Sequence, residues 1–184
     1  MTNRSNPLDV GVVGVGSMGQ HHARVYSELS EANLVGVFDV DDEQTQEVAQ
    51  KHGVTAYALD ELLERVDAVS IAVPTQFHLE TAKQCLEADV APLIEKPVVS
   101  DHHEGQELLS ARNEAGLPVQ VGHIERFNPA IQSLTDVLSG LNVLSIKAER
   151  LGPPLGREID DRAVLDLMIH DRDIVLSLVD STPL

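Results

Sequence analysis

Two hydrophobic periods take turns along the chain. Short runs rich in Val, Ile and Leu occupy residues 9–15 (DVGVVGV), 33–40 (NLVGVFDV), 66–73 (VDAVSIAV), 90–95 (VAPLIE) and 117–123 (LPVQVGH). They lack the strict alternation of a strand with one wet face, so they read as strands buried on both sides. Between them lie segments with apolar residues at helical spacing, such as HHARVYSELS (21–30), DEQTQEVAQKHG (42–53) and LETAKQCLEA (79–88). Strand and helix exchanging at this spacing predict βαβ units, hence an α/β fold with a parallel sheet covered by helices.

The regular exchange stops near Gly122. Beyond it the pattern predicts a helix over 128–138 (NPAIQSLTDVL), a strand over 141–150 (LNVLSIKAER), a Pro/Gly-rich loop over 151–161 and a long helix from about 163 to 179. A single strand without partners is marginal. The expected organisation is therefore a complete first domain, 1–122, and the beginning of an α+β second domain, 123–184, which looks unfinished.

Composition narrows the function. Thirty carboxylates against thirteen Lys and Arg leave a net charge of −17, which opposes binding to nucleic acid or anionic lipid. So acidic a chain, with only four lysines and no Trp, also resembles proteins that work in high salt, where self-repulsion is screened. The alternative is an ordinary acidic cytosolic protein. No apolar run approaches the roughly 18 residues of a membrane span and no signal segment is evident, so a cytoplasmic location is expected. Cys85, the only cysteine, falls on the apolar face of a predicted helix and reads as a small core residue. No Cys/His cluster has metal-ligand spacing, so no metal is expected.

The first strand runs into VGVGSMGQHHARVY, with Gly14, Gly16 and Gly19 spaced as G-x-G-x-x-G. The first glycine makes a tight turn, the second lets a pyrophosphate approach the backbone, and the third seats the following helix on the strand. Ser17 and Met18 open that helix, whose N-terminus attracts phosphate. The motif follows a strand, opens a helix and starts a βαβ series, which makes a Rossmann doubly wound sheet the expected architecture. The second strand ends in Asp39, twenty residues after Gly19, where a carboxylate accepts from both ribose hydroxyls and repels a 2′-phosphate. NAD is therefore expected ahead of NADP. Asp41 or Asp42 would cap the next helix.

A lysine-poor chain keeps an ammonium in LIEKPV, residues 93–98, at the mouth of a buried run. Together, VGVGSMGQHH, IAVPTQFH (71–78) and EKPV (95–98) resemble the Gfo/Idh/MocA family of sugar and inositol dehydrogenases. The resemblance implies that Lys96 lies beside the nicotinamide and touches the reacting hydroxyl, with Glu95 orienting it. It also places Pro74, Thr75 and His78 around the nicotinamide ribose, although His78 reads equally well as a polar residue at a helix start. His21, His22, His102 and His103 also read as polar residues at helix starts, without chemistry.

The family's second signature, Asp and His four residues apart on a helix, corresponds to Asp166 and His170 in VLDLMIHDRD, with Asp173 one turn further. His170 would take the hydroxyl proton as hydride leaves, and Asp166 would hold the imidazole or the substrate hydroxyl. Beyond the sheet, GHIERFNPA (122–130) resembles the branch acting on nucleotide sugars, in particular the UDP-N-acetylglucosamine 3-dehydrogenases. Arg126 would clamp a substrate anion or hydroxyl pair and Asn128 would donate and accept. The alternative for this stretch is a helix start, with Asn128 as cap and Pro129 at the first helical position.

Members of that family are considerably longer than 184 residues. The missing part would be most of the antiparallel sheet that floors the sugar pocket and mediates homo-oligomerisation. The leading expectation is thus an NAD-dependent dehydrogenase of a sugar, with a nucleotide sugar as the expected substrate class, and with an inositol or free-sugar dehydrogenase and a truncated, non-catalytic NAD-binding module as alternatives.

Overall fold

The computed structural model describes residues 6–138, 140–149 and 168–179. The chain divides into two compact units, Met1–Gly122 and His123–Leu184.

The first unit is a parallel six-stranded sheet with strand order β3-β2-β1-β4-β5-β6. Its strands are β1 (Leu8–Val13), β2 (Ala32–Phe38), β3 (Thr55–Ala56), β4 (Ala68–Ile71), β5 (Ala91–Ile94) and β6 (Gln120–Val121). They alternate with α1 (Ser17–Glu28), α2 (Asp42–His52), α3 (Leu59–Leu63), α4 (His78–Glu87) and α5 (His102–Ala115). Each of the five apolar runs before Gly122 overlaps a strand. The two-residue β3 was not among those runs; it is too short to carry a period and pairs with β2 only through Gly36 and Val37.

Side-chain alternation divides the core into two layers. Val10 and Val12 of β1 join Ala23 of α1 and Val48 and Ala49 of α2. Val13 packs instead with Leu62 and Leu63 of α3, Ala82, Cys85 and Leu86 of α4, and Leu108 of α5. Successive residues of one strand thus serve opposite helical layers, which is why β1 must be apolar throughout. Cys85 is fully buried, and burial pushes its thiol up to about 12, so it behaves as a hydrophobe.

Caps set several helix ends. Asp41 accepts from Gln44 N at 3.0 Å to start α2, and Gly53 ends it in the left-handed region at φ 69°. Asp101 caps α5 in the same way through Glu104 N at 3.0 Å.

The second unit contains a 3-10 turn (Ile124–Phe127), α6 (Pro129–Leu138) and α7 (Ile169–Leu178). Asn128 caps α6, accepting from Ala130 N at 3.0 Å, with Pro129 at the first helical position. Residues 141–149 of the strand expected over 141–150 pair with no strand among the described residues. An apolar run becomes a strand only when another strand satisfies its backbone. The expected loop over 151–161 and the helix start over 163–167 lie outside the described residues.

Candidate functional site

Register brings the candidate residues of the first unit to one rim of the sheet. Phe38, Val13, Ile71, Ile94 and Val121 form one paired row across β2, β1, β4, β5 and β6. The next residue of each strand leaves the sheet at that level, namely Asp39, Gly14, Ala72, Glu95 and Gly122. Backbone hydrogen bonds extend the ladder into this row: Gly14 N to Phe38 O and Ala72 N to Val13 O at 2.8 Å, Glu95 N to Ile71 O at 2.9 Å, and Gly122 N to Ile94 O at 2.8 Å. The chain winds outward from β1 in one direction and from β4 in the other, and such a switch point is where open parallel sheets hold ligands.

The glycine loop lies at this switch point. Gly14 has φ +87°, and a Cβ there would sit 2.7 Å from Ala72 C and Val73 N. At Gly19 a Cβ would fall 1.8 Å from Gly14 O, so only glycine lets α1 pack on the loop. Gly16 differs, since a Cβ there meets nothing within 4 Å. It borders open space at the start of α1, where no side chain caps the helix and no acidic residue sits in the first turn. Uncapped amides, the positive end of the helix dipole and a bare approach fit a pyrophosphate.

Asp39 joins this loop to β2. Its Oδ2 accepts from Val15 N at 2.7 Å and its Oδ1 from Asp41 N at 3.2 Å. Each oxygen keeps acceptor capacity for a ribose hydroxyl.

After β4, Pro74 leads into a 3-10 turn, Thr75–Phe77, and then α4. His78 does not face an open site. It is 1% exposed, with Nδ1 2.9 Å from Pro97 O and Nε2 2.9 Å from Val73 O. Its ring lies between the loop after β4 and the loop after β5 with a main-chain carbonyl beside each nitrogen, and a neutral imidazole donates to one of the two.

Lys96 follows β5 and is half-buried. Its backbone N–H donates to Glu95 Oε2 at 3.2 Å. The other Glu95 oxygen, Oε1, lies 2.8 Å from His22 Nε2. His22 Nδ1 is 3.0 Å from Ser70 Oγ, which is 2.7 Å from the Tyr26 hydroxyl. Burial pushes the Glu95 carboxyl up, but the His22 hydrogen bond and charge, the Lys96 amide and the Lys96 charge together outweigh it and hold it below the ordinary glutamate value. A Cβ on Gly122 would come 3.1 Å from Glu95 Oε1, so the start of the next segment closes over this carboxylate.

His22 is the residue that the sequence pattern missed. His21, His102 and His103 are exposed, as a polar helix start implies. His22, one position from His21, turns inward and spans α1, β4 and β5. The available signal was its place four residues before Tyr26 on one helical face.

In the second unit, His170 lies in the first turn of α7 and is half-buried. Asp166 lies outside the described residues. Asp173, one turn after His170, is buried and accepts from Arg126 Nε and Nη2 at 2.6 Å each. The Asp173 hydrogen bonds raise the Arg126 guanidinium further above its ordinary value. The Arg126 fork, expected to meet a substrate anion, is thus held by Asp173, with His123 Nε2 3.8 Å from the same carboxylate. Asn128 caps α6 and donates to Glu125 Oε2 at 3.2 Å.

Among proteins of known sequence, the oxidoreductase family with an NAD-binding Rossmann fold matches residues 8–123. A UDP-N-acetylglucosamine 3-dehydrogenase of Acidithiobacillus ferrooxidans is 41% identical over 177 residues, 96% of this chain and 56% of the relative. Its crystal structure superposes with a TM-score of 0.89 at 40% identity, over 96% of this chain and 56% of that one. An inositol 2-dehydrogenase of Corynebacterium glutamicum is 29% identical over 181 residues, 93% of this chain and 54% of the relative. GenD2 of gentamicin A biosynthesis, solved in complex with NAD, gives a TM-score of 0.70 at 29% identity, over 73% of this chain and 40% of that one. The chain therefore spans a little over half the length of the two curated relatives named here.

Proposed function

Because the chain belongs to the Gfo/Idh/MocA family of oxidoreductases with an NAD-binding Rossmann fold, we propose that it oxidises a ring hydroxyl of a nucleotide sugar, UDP-N-acetylglucosamine first among candidates. The observation that carries the substrate class is the 41% identity to a UDP-N-acetylglucosamine 3-dehydrogenase over 96% of this chain. Inositol 2-dehydrogenases at 29% identity support a free polyol as the second candidate.

The first unit, residues 1–122, is the NAD-binding domain in this reading, and 123–184 begins the substrate domain. Gly14, Gly16, Ser17, Met18 and Gly19 take the pyrophosphate, and Asp39 takes the adenosine ribose. A carboxylate at that position repels a 2′-phosphate, which favours NAD over NADP. Pro74 and Thr75 border the nicotinamide ribose through their backbone. NAD, when bound, supplies the hydride acceptor.

The remaining steps belong to side chains. Lys96 holds the substrate hydroxyl and stabilises the negative charge that grows on its oxygen as the proton leaves. His170 accepts that proton and, in the reverse direction, returns it. Asp166 keeps the imidazole or the hydroxyl in place. Arg126 and Asn128 act on the substrate side, Arg126 through the position that Asp173 gives it. The acid-rich composition supports work in concentrated salt.

The test measures NADH formation by the chain with UDP-N-acetylglucosamine and with myo-inositol, alongside NAD affinity. Lys96→Ala is expected to lower kcat by on the order of 100-fold, as loss of a group stabilising developing charge does, while NAD affinity changes far less. Equal turnover by wild type and variant would remove Lys96 from the mechanism. NAD binding with no oxidation of either substrate would leave a non-catalytic binding module.

A further inference from the structure

We propose that His22 is a positioning residue for Lys96, acting through Glu95 and itself set by Ser70 and Tyr26. The inference rests on Lys96 being the lysine of the proposed site. His22 of α1 links Ser70 of β4 to the carboxylate of Glu95, the residue after β5.

With a neutral His22 the network has one set of donors; an imidazolium keeps the same Nε2–H to Glu95 and turns Nδ1–H toward Ser70 Oγ, which then donates to Tyr26. Glu95, ionised and held below the ordinary glutamate value, only accepts. The contact at 2.8 Å therefore carries the His22 proton on Nε2. With a neutral imidazole, Nδ1 is then an acceptor, and Ser70 Oγ donates to it across 3.0 Å. Having given its proton, Ser70 Oγ accepts from the Tyr26 hydroxyl at 2.7 Å. Every member is satisfied and each direction follows from the one before it. Satisfied polar networks of this kind fix orientation because any rotated member leaves a buried group unpaired. Ser70 has no exposed surface, and the His22 and Glu95 side chains are 15% and 9% exposed.

The output of the network is the main chain of Lys96. With Oε1 held by His22, Oε2 faces the Lys96 N–H at 3.2 Å. Across the same loop, His78 Nδ1 lies 2.9 Å from Pro97 O. Lys96 is thus held at its own amide, with the buried His78 ring packed against the residue that follows. Rigid support of this sort matters because displacing a reacting group by about 1 Å costs on the order of 100-fold in rate. His22 sits in the second turn of the helix that the glycine loop opens, so the phosphate cradle and the lysine share one support.

NMR of the isotope-labelled chain tests this directly. Ring proton–nitrogen correlations are expected to show a proton on His22 Nε2 in the wild type. In His22→Ala the Lys96 amide proton should move upfield and exchange roughly tenfold faster, in keeping with release of a charge-assisted bond. His22→Gln, whose side-chain amide reaches Glu95, should restore the Lys96 signal. Ser70→Ala should shift it partway, and it serves where His22→Ala fails to fold. In turnover, His22→Ala should lower kcat about tenfold or more with the NAD dissociation constant unchanged. An Nδ1–H tautomer in the wild type, or an unmoved Lys96 amide in both His22→Ala and Ser70→Ala, overturns the proposal. A chain that oxidises no sugar but shows the expected Nε2 proton and Lys96 response upholds the positioning role and overturns the dehydrogenase reading instead.

Discussion

Gly16 and Gly19 lie three positions apart and meet opposite surroundings. A methyl group at Gly19 collides with the Gly14 carbonyl at 1.8 Å, whereas one at Gly16 enters empty space. The Gly16 backbone, at φ −62° and ψ −163°, is open to any L residue. Gly16→Ala is therefore expected to keep stability within about 0.5 kcal/mol, since its methyl meets nothing within 4 Å, yet to weaken NAD at least about tenfold because the methyl occupies the phosphate approach. Gly19→Ala should cost about 1–3 kcal/mol by overpacking. Thermal melts of both variants with and without NAD check the contrast. A Gly16→Ala chain that binds NAD like the wild type would remove the pyrophosphate from this loop.

At the scale of elements, one ion pair joins the 3-10 turn Ile124–Phe127 to α7. Asp173 is 8% exposed and takes both of its close donors from Arg126. Arg126→Met leaves that carboxylate buried, with His123 Nε2 3.8 Å away. The expected loss is about 1–3 kcal/mol, the cost of a buried polar group without its partner. Arg126→Lys should recover only part of it, since an ammonium cannot fork. Urea midpoints for the three chains measure this, and an unchanged midpoint for Arg126→Met would show that the pair contributes nothing.

What could be read in advance follows the same scale. The glycine loop, the cap at Asp41 and the pair Asn128–Pro129 rest on residues within a few positions of one another, so their spacing is visible in the chain. Lys96 stood out because an ammonium after a buried run has no packing reason to be there. His22 and Glu95 lie 73 positions apart and Arg126 and Asp173 lie 47 apart. No local period couples such residues; only the sheet order brings the first pair together. Asp173 stood out as polar on an apolar helix, but nothing in the spacing paired it with Arg126. The run at 141–149 differs in the other direction: it has strand character, yet among the described residues no neighbouring strand pairs with it.

For the whole molecule the dominant long-range quantity is a charge of −17 on 184 residues. Two salt effects oppose each other here. Screening relieves repulsion among thirty carboxylates, while it also weakens pairs such as Arg24–Glu28 at 2.8 Å, whose side chains are both largely exposed. Exposed pairs contribute about 0–1 kcal/mol each, and excess negative charge outnumbers them, so repulsion wins. The melting temperature is expected to rise as salt shortens the screening length from about 10 Å at 0.1 M to about 3 Å at 1 M. A flat or falling series would remove the high-salt adaptation.

The level row of strand ends carries a consequence for how such a scaffold changes its cargo. Four loops begin from a residue whose amide is already locked to a neighbouring strand, at Gly14, Ala72, Glu95 and Gly122. Variation beyond those anchors, in length or in chemistry, leaves the ladder beneath untouched. A new specificity can therefore be grafted onto that edge one connection at a time, while the hydrophobic layers below stay as they are.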